Sequence, residues 1–203
     1  MLHGRGASPE DMLGLAGHLA LADIAYLAPE AAGHSWWPQS FLAPISANEP
    51  GLSSGLRVVA GLVEQLERQG FRPERIVLLG FSQGACLALE FAARAGRPLH
   101  AVVGLSGGLL GTAEEDGPPL DALYGHAPKR FDYPTRLDGM TAFLGCHERD
   151  PHIPLARVRE THSVLARAGA IVTTQIYPGA GHGIVDQEVR WLRGLLNRPS
   201  DTG

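Results

Sequence analysis

A serine between two glycines stands where the character of the chain changes abruptly. Gly80-Phe81-Ser82-Gln83-Gly84 follows a run rich in leucine and valine and precedes a run rich in alanine, which predicts a sharp turn from a strand into a helix. Such a turn strains the backbone of the serine and presents its hydroxyl above the positive N-terminus of the helix. Gly80 and Gly84 lack a Cβ, so the two elements can approach closely. The pattern predicts that Ser82 is a catalytic nucleophile; the alternative is a glycine-rich turn with an incidental serine.

A nucleophilic serine requires a base, and nine histidines compete for that role. His182 stands in a glycine-flanked loop between a predicted strand at 171–177 and a predicted helix at 185–196. Where a nucleophilic serine follows a strand at a sharp turn of this kind, its partners come later in the chain. The acid comes first and the histidine base second, each after a later strand. His182 is therefore the predicted base, and a solvated loop histidine is the alternative.

The acid that orients this base is predicted on the loop before it. Asp150 lies just past an apolar strand at 140–146, where its carboxylate can accept the Nδ1–H of His182 and stabilise the imidazolium. Glu148 is the nearest competitor, whereas Asp138 precedes the strand rather than following it. These positions favour Asp150 as the third member of a Ser-His-Asp triad.

The same loop carries four side chains that could instead bind a metal ion: His147, Glu148, Asp150 and His152. They lack the helical spacing of a His-Glu-x-x-His motif, and no other segment supplies a suitable ligand set. We therefore expect no metal and no other cofactor. His152 is interpreted as a residue on the rim of the substrate pocket.

A glycine-rich segment at the start of the chain, His3-Gly4-Arg5-Gly6-Ala7, is the fourth chemical feature. Acyl transfer builds negative charge on a carbonyl oxygen, and backbone N–H groups aimed at that charge lower the barrier. One such donor is predicted to be the N–H of Gln83, directly after the nucleophile, and the other the N–H of Arg5. A flexible terminus is the alternative interpretation of the segment.

These groups need a sheet that brings the ends of several strands together. The apolar runs are continuous rather than alternating, as expected for a parallel sheet covered on both faces by helices. The sequence therefore predicts one α/β domain over residues 1–203. The predicted strands are 24–27, 75–80, 101–105, 140–145 and 171–177, and the predicted helices include 9–21, 53–69, 154–167 and 185–196.

In combination, these segments resemble the carboxylesterase/phospholipase branch of the α/β-hydrolases, which includes acyl-protein thioesterases and small bacterial esterases. The resemblance implies an α/β-hydrolase fold and a cofactor-free serine esterase acting on carboxylic esters or thioesters. It implies Ser82, Asp150 and His182 as the triad and the amides of Arg5 and Gln83 as oxyanion donors. The matching segments are 2–7, 79–85, 105–108, 150–154 and 179–182, and the segment 33–38 is of a type found in bacterial esterases.

Two loops are candidates for the substrate pocket. The loop at 31–51 carries Trp36, Trp37 and Phe41 and is too apolar for a solvated linker, so it is predicted to line an acyl pocket; packing against the sheet edge is the alternative. Leu109 enters a second, acidic and proline-rich loop at 111–138 and is a predicted acyl-chain contact. That loop is expected to lie beside the pocket or to form a solvated excursion.

The function predicted from these features is hydrolysis of short- to medium-chain carboxylic esters through an acyl-enzyme, because the bulky aromatic residues favour a short acyl group. An acyl-protein thioesterase or lysophospholipase is the first alternative, since it would use the same triad. A dienelactone hydrolase would carry cysteine where Ser82 stands. A non-catalytic binding module on the same fold is the remaining alternative, although such a protein is expected to lose a triad member.

Composition limits the partners. The formal charge of −4 is small and the basic residues are dispersed, so no nucleic-acid footprint is expected. No apolar stretch is long enough to cross a bilayer, and no signal peptide is expected because the glycine-rich motif begins at His3. Cys86 and Cys146 are interpreted as buried thiols, which suits a bacterial cytoplasm. The expected partner is a small-molecule ester, and a homodimer is compatible with the sequence.

The start of the chain departs from the resemblance in one respect. In this fold the oxyanion loop follows a central strand, which lies between the strands predicted at 24–27 and 75–80. Only Met1 and Leu2 precede His3, whereas a strand needs about five or six residues. A vacant interior position leaves buried backbone groups unpaired, each at a cost on the order of 1–3 kcal/mol. We therefore expect a fold that lacks its N-terminal strands because the native protein begins upstream; a rearranged sheet, or a segment of another chain in the vacancy, is the alternative.

Overall fold

The protein is built around a parallel sheet of four strands in the order β1-β2-β3-β4. The computed structural model describes residues 1–97 and 99–197. The strands are β1 (Val77–Phe81), β2 (Ala101–Leu105), β3 (Thr141–Arg149) and β4 (Ile171–Ala180). The helices are α1 (Pro9–Leu19), α2 (Gly51–Arg68), α3 (Gln83–Ala95), α4 (Leu155–Arg167) and α5 (Asp186–Leu196).

Hydrophobic side chains cover both faces of the sheet, as the continuous apolar runs predict. Successive strand residues point to opposite faces, so Leu78 and Val102 join the core under α2, α3 and α4. Leu79 and Val103 join a smaller core under α1 and α5. On that second face Phe143 stacks on Trp191 of α5, with ring centroids 4.1 Å apart. The prediction of a parallel sheet between two helical layers is confirmed.

The strand predicted at 24–27 is wrong. Residues 20–31 are all described and contain neither helix nor strand. This segment has no neighbouring strand with which to form a ladder. The first two residues of the chain lie beside it instead. Leu2 donates its N–H to the Leu79 carbonyl (2.7 Å) and accepts from the Phe81 N–H (3.1 Å), while the Met1 ammonium donates to the Leu27 carbonyl (2.7 Å).

The pairing of Leu2 with β1 keeps the glycine-rich segment next to Ser82. Because Leu2 stands between β1 and the segment around Leu27, those two elements do not pair directly. An apolar cavity of about 190 Å³ lies beside this single bridge, at the edge of the sheet. Met1, Tyr26, Val63 and Leu79 are among the residues that line it.

The loop at 111–138 is ordered against the rest of the molecule at several points. Leu120 and His126 form an antiparallel bridge around a tight turn. The hydroxyl of Tyr124, in that turn, donates to the backbone carbonyl of Asp150 (2.9 Å). The Glu114 carboxylate accepts a hydrogen bond from the Ser46 hydroxyl (2.6 Å), which links this loop to the aromatic loop at 31–51. Of the interpretations offered for this loop, the structure favours a position beside the predicted site.

Two further expectations concern the described residues as a whole. Cys86 and Cys146 are both buried and free, as predicted. None of the helices within 1–97 and 99–197 combines the length and the apolar character that a membrane span requires.

Candidate active site

Ser82 sits at the turn from β1 into α3, as predicted. Its backbone adopts φ 54 and ψ −118, a conformation in which residues other than glycine are strained. The turn closes only because its neighbours lack side chains: a Cβ on Gly80 would overlap the Gly84 carbonyl, and a Cβ on Gly84 would overlap the Leu2 carbonyl. The structure therefore confirms the strained turn that Gly-x-Ser-x-Gly predicts.

The three residues proposed as a triad form one hydrogen-bonded line. His182 Nε2 lies 2.9 Å from the Oγ of Ser82, and His182 Nδ1 lies 2.8 Å from Oδ2 of Asp150. The side chain of Asp150 is fully buried, whereas that of His182 is 17% exposed. The rings of Phe81 and His152 both lie near the imidazole of His182, with centroid distances of 5.1 and 4.8 Å.

The carboxylate of Asp150 is held on both oxygens. Oδ1 accepts the backbone N–H groups of His152 (2.8 Å) and Ile153 (3.1 Å), and Oδ2 faces His182. Burial acts to raise the pKa of Asp150, but the hydrogen bonds from His182 and the two amides outweigh it, so the pKa lies below its usual value. Asp150 is thus an anion at neutral pH and fixes the imidazole with a proton on Nδ1.

The competing acids occupy other positions. Glu148 is exposed, and its Oε2 lies 3.4 Å from the Gly179 amide. Asp138 pairs with the exposed Arg136 guanidinium (2.8 Å). Within the described residues, no group of three or more His, Cys, Asp or Glu side chains has the geometry to hold a metal ion.

The predicted oxyanion donors are the backbone N–H groups of Arg5 and Gln83. Gly4 lies against the nucleophile: a Cβ built on it would be 3.3 Å from the Cβ of Ser82. In the part of the chain that the structure describes, neither the Arg5 N–H nor the Gln83 N–H donates to a protein acceptor. Gln83 is the first residue of α3, so its N–H also lies at the positive end of that helix.

The Arg5 side chain has a structural role. Its guanidinium donates to the carbonyls of Pro38 (2.9 Å) and Gln39 (2.6 Å), which ties the glycine-rich segment to the aromatic loop. The Gly6 N–H donates to the His34 carbonyl (2.7 Å) in the same region. Because of these contacts, the structure does not support the alternative interpretation of the segment as a flexible terminus.

Most of the predicted pocket residues are packed inside the protein. Trp36, Trp37, Phe41 and Leu109 are each at most 8% exposed and belong to the core on the α2–α4 side of the sheet. Their burial favours packing in the core over a role in lining an acyl pocket. His152 differs from them, because it is exposed and its ring lies against that of His182.

The structure adds side chains that sequence patterns did not mark. Tyr124 binds the backbone of Asp150 from a loop with no recognisable motif. Gln83, predicted only for its amide, also uses its carboxamide: Oε1 accepts the Trp36 N–H (2.9 Å) and Nε2 donates to the Trp37 carbonyl (2.9 Å). The position of Gln83 directly after Ser82 marked it in the sequence as a site residue. No sequence pattern indicated that its side chain would bind the backbone of Trp36 and Trp37.

Glu188 is a buried carboxyl group behind the loop that carries His182. It is 1% exposed, its Oε2 accepts the Val185 N–H (2.9 Å), and it packs against Gly145 of β3. Burial raises the pKa of Glu188 from 4.5 to about 7, and the hydrogen bond from Val185 offsets part of that effect. Cys146 and Tyr177 are the ionisable groups whose pKa values it influences.

The burial of Glu188 predicts that the free energy of unfolding depends on pH, and that Glu188→Gln removes this part of the pH dependence. Between pH 4.5 and about 7 the folded protein keeps a proton that the unfolded chain has lost, so the free energy of unfolding falls as the pH rises through this window. Glu188→Gln has no such proton to lose and keeps an acceptor for the Val185 N–H. Urea denaturation should show its stability rising relative to wild type, by on the order of 2 kcal/mol, between about pH 5 and about pH 8. A stability difference that does not change with pH contradicts the prediction.

Comparison with known proteins gives the same picture as the geometry. A model of the phospholipase/carboxylesterase family matches residues 1–116, more than half of the chain. Acyl-protein thioesterase 1 from Gibberella zeae is 30% identical over 149 residues, which cover 73% of this chain and 58% of that protein. The chain thus spans little more than half the length of this relative.

Solved structures extend the similarity over nearly all of the chain. A phospholipase/carboxylesterase from Dyadobacter fermentans has a TM-score of 0.84 at 34% identity, covering 98% of this chain and 88% of that one. A carboxylesterase from Mesorhizobium loti has a TM-score of 0.68 at 20% identity, covering 98% and 87%, and at that identity the likeness shows the fold. The family match, the fold and the placement of Ser82 lead to one conclusion: the chain belongs to the phospholipase/carboxylesterase family of α/β-hydrolases.

Proposed function

We propose that the protein is a serine carboxylesterase that hydrolyses short- to medium-chain carboxylic esters through an acyl-enzyme. The observation that carries the proposal is the hydrogen-bonded line from Ser82 Oγ through His182 to Asp150, with spacings of 2.9 and 2.8 Å. A hydroxyl, an imidazole and a buried carboxylate in this order are the groups that nucleophilic acyl transfer requires. Membership of the family supports the same reaction class.

In the first half of the proposed reaction, His182 Nε2 takes the proton of Ser82 as Oγ bonds to the carbonyl carbon of the ester. The carbonyl oxygen becomes negatively charged, and the N–H groups of Arg5 and Gln83 hydrogen bond to it. The carbon–oxygen bond to the alcohol then breaks, and the proton on Nε2 passes to the leaving alkoxide oxygen. Asp150 stabilises the imidazolium throughout this half.

The second half repeats these steps with water as the nucleophile. His182 Nε2 removes a proton from water while the water oxygen bonds to the acyl carbon of the ester on Ser82. The same two amides bind the second oxyanion. The bond to Ser82 Oγ then breaks, Oγ recovers its proton from Nε2, and the carboxylic acid leaves.

Crowding around the nucleophile supports a small acyl group. Gly4 and Phe81 lie against Ser82, since a Cβ on Gly4 would be 3.3 Å both from the Phe81 ring and from the Ser82 Cβ. The exposed His152 ring lies against the imidazole of His182. The apolar cavity of about 190 Å³ lies at the N-terminal edge of the sheet and not beside His182 or Asp150, so it is not proposed as an acyl pocket.

A thioesterase acting on longer acyl chains is the second candidate, because one relative is an acyl-protein thioesterase. The two candidates differ in the length of the acyl group and in the leaving atom. Purified protein should be assayed with p-nitrophenyl acetate, butyrate, octanoate and palmitate, and with the matching acyl thioesters. We expect kcat/KM to be highest for acetate to octanoate esters and to fall steeply for palmitate. Preference for palmitoyl thioester would instead favour the second candidate.

The same preparation tests the non-catalytic alternative. A fluorophosphonate forms a covalent bond with a serine only when a base activates its hydroxyl. Labelling confined to Ser82 supports an enzyme, whereas an unlabelled protein that also hydrolyses none of the esters supports a binding module.

The expectation of a cytoplasmic protein belongs to the same proposal. Cys86 and Cys146 are both buried, free thiols. Free thiols persist in a reducing compartment, so their state supports the cytoplasm as the place where the protein acts.

A further inference from the structure

His3 binds the same peptide group that carries one of the proposed oxyanion donors. Its Nδ1 lies 2.8 Å from the carbonyl oxygen of Gly4. That carbonyl and the Arg5 N–H belong to one planar peptide, in which the C=O and N–H bonds point in opposite directions. Fixing the direction of the Gly4 carbonyl therefore also fixes the direction of the Arg5 N–H.

The imidazole of His3 is itself held in one orientation and one tautomer. The ring is fully buried, and its Nε2 accepts the N–H of Ala31 (3.0 Å). Because a backbone N–H can only donate, Nε2 must be unprotonated and the ring proton must be on Nδ1. The ring therefore donates to the Gly4 carbonyl. Ala7 N–H is a second and longer donor to that oxygen, at 3.2 Å.

Contacts from Trp36 complete the support of this peptide. The indole Nε1–H donates to the His3 carbonyl (2.9 Å), and the two rings lie 5.1 Å apart. The backbone of Trp36 is in turn bound by the carboxamide of Gln83 (2.9 Å), the residue that supplies the other proposed donor. Trp36 thus contacts both Gln83 and the segment that carries Arg5, the residues of the two proposed oxyanion donors.

We propose that His3 is a positioning residue, which aims the Arg5 N–H at the oxyanion through the Gly4–Arg5 peptide. This inference rests on the proposed esterase function. Negative charge on the carbonyl oxygen develops in the transition state and tetrahedral intermediate and is absent from the bound ester, so loss of alignment lowers kcat and leaves KM nearly unchanged. A residue that merely fills the core has no reason to produce this separation.

Two substitutions each keep one hydrogen bond of the His3 imidazole and remove the other. In His3→Asn the side-chain NH2 lies near the position of Nδ1, so it can donate to the Gly4 carbonyl but leaves the Ala31 N–H without an acceptor. In His3→Gln the longer amide reaches the position of Nε2 and can accept from Ala31, but the side-chain donor to the Gly4 carbonyl is lost and only the longer bond from the Ala7 N–H remains. The two variants therefore separate orientation of the peptide from packing of the core.

The test measures kcat and KM for p-nitrophenyl acetate together with the thermal midpoint of each variant. We expect His3→Gln to lose roughly 10- to 100-fold in kcat with KM changed by less than about threefold, because one donor is misaligned and Ala7 still holds part of the peptide. His3→Asn should keep kcat within about threefold of wild type. The rate at which a fluorophosphonate labels Ser82 should follow the same order, which supplies a readout independent of turnover.

Equal losses of kcat in the two variants, or losses that follow the thermal midpoint, overturn the proposal. If neither variant folds, Trp36→Phe removes only the donor to the His3 carbonyl and keeps the aromatic packing. We then expect a reduced kcat with unchanged KM, and a wild-type kcat overturns the proposal. Hydrolysis that persists in Ser82→Ala contradicts the proposed function instead, so the two failures are distinguishable.

Discussion

Replacing Ser82 with alanine is expected to remove nearly all hydrolysis of p-nitrophenyl acetate, with kcat lowered by about 10³-fold or more. The Oγ of Ser82 forms the bond to the acyl carbon, and its proton is the one that His182 transfers, so alanine eliminates the covalent route. Alanine must adopt the same φ of 54 as serine, so the substitution adds no backbone strain. We therefore expect an unchanged fold, checked by circular dichroism and thermal unfolding of the sample used for kinetics.

Ser106 provides a matched control for this substitution. It is a buried serine at the end of β2, and its φ of 51 is close to that of Ser82. Ser106→Ala thus makes the same chemical change at a similar φ, directly after β2, the strand that lies between β1 and β3. It should keep most of the wild-type activity. Hydrolysis that survives in Ser82→Ala, or that disappears equally in Ser106→Ala, would show that Ser82 is not the nucleophile.

The turn around Ser82 could be predicted from sequence because a steric requirement fixes it. Both Gly80 and Gly84 lie where any Cβ would overlap a backbone carbonyl, so the residue types themselves record the geometry. The order of Ser82, Asp150 and His182 was informative for a related reason. Parallel strands end at one edge of the sheet, and β1, β3 and β4 bring the three loops to that edge.

The roles of the aromatic residues could not be predicted in the same way. Trp36, Trp37 and Phe41 form an apolar set in a loop, and such a set can line a pocket or fill a core. Only the three-dimensional arrangement decides, and the structure buries all three. The failed strand at 24–27 has a similar origin, because an apolar run becomes a strand only where a neighbouring edge is free to pair with it.

Hydrogen bonds to backbone groups were also beyond prediction. The Tyr124 hydroxyl binds the Asp150 carbonyl across 26 residues, and the Ala31 N–H binds His3 across 28. A backbone N–H or carbonyl is the same at every position, so no residue type marks which one will be the partner. The support of the site by such contacts therefore becomes visible only in the folded chain.

Replacing Asp150 with asparagine is the second change for which we expect a large effect, a loss of about 10³- to 10⁴-fold in kcat with little change in the loop. The side-chain oxygen of asparagine can still accept the amides of His152 and Ile153, as Oδ1 of Asp150 does. Its NH2 group then faces Nδ1 of His182, which must become an acceptor. The imidazole proton moves to Nε2, and His182 can no longer take the proton of Ser82.

Glu148 tests whether this effect belongs to Asp150 alone. It is the competing acid on the same loop, and it is exposed and outside the hydrogen-bonded line. Glu148→Gln removes a negative charge from the same loop, two residues away, without altering the tautomer of His182. Steady-state kinetics of both variants should show a near-normal kcat for Glu148→Gln beside the large loss in Asp150→Asn. A comparable loss in the two variants would mean that the charge of the loop, and not the hydrogen bond from His182 Nδ1 to Asp150 Oδ2, is what the reaction requires.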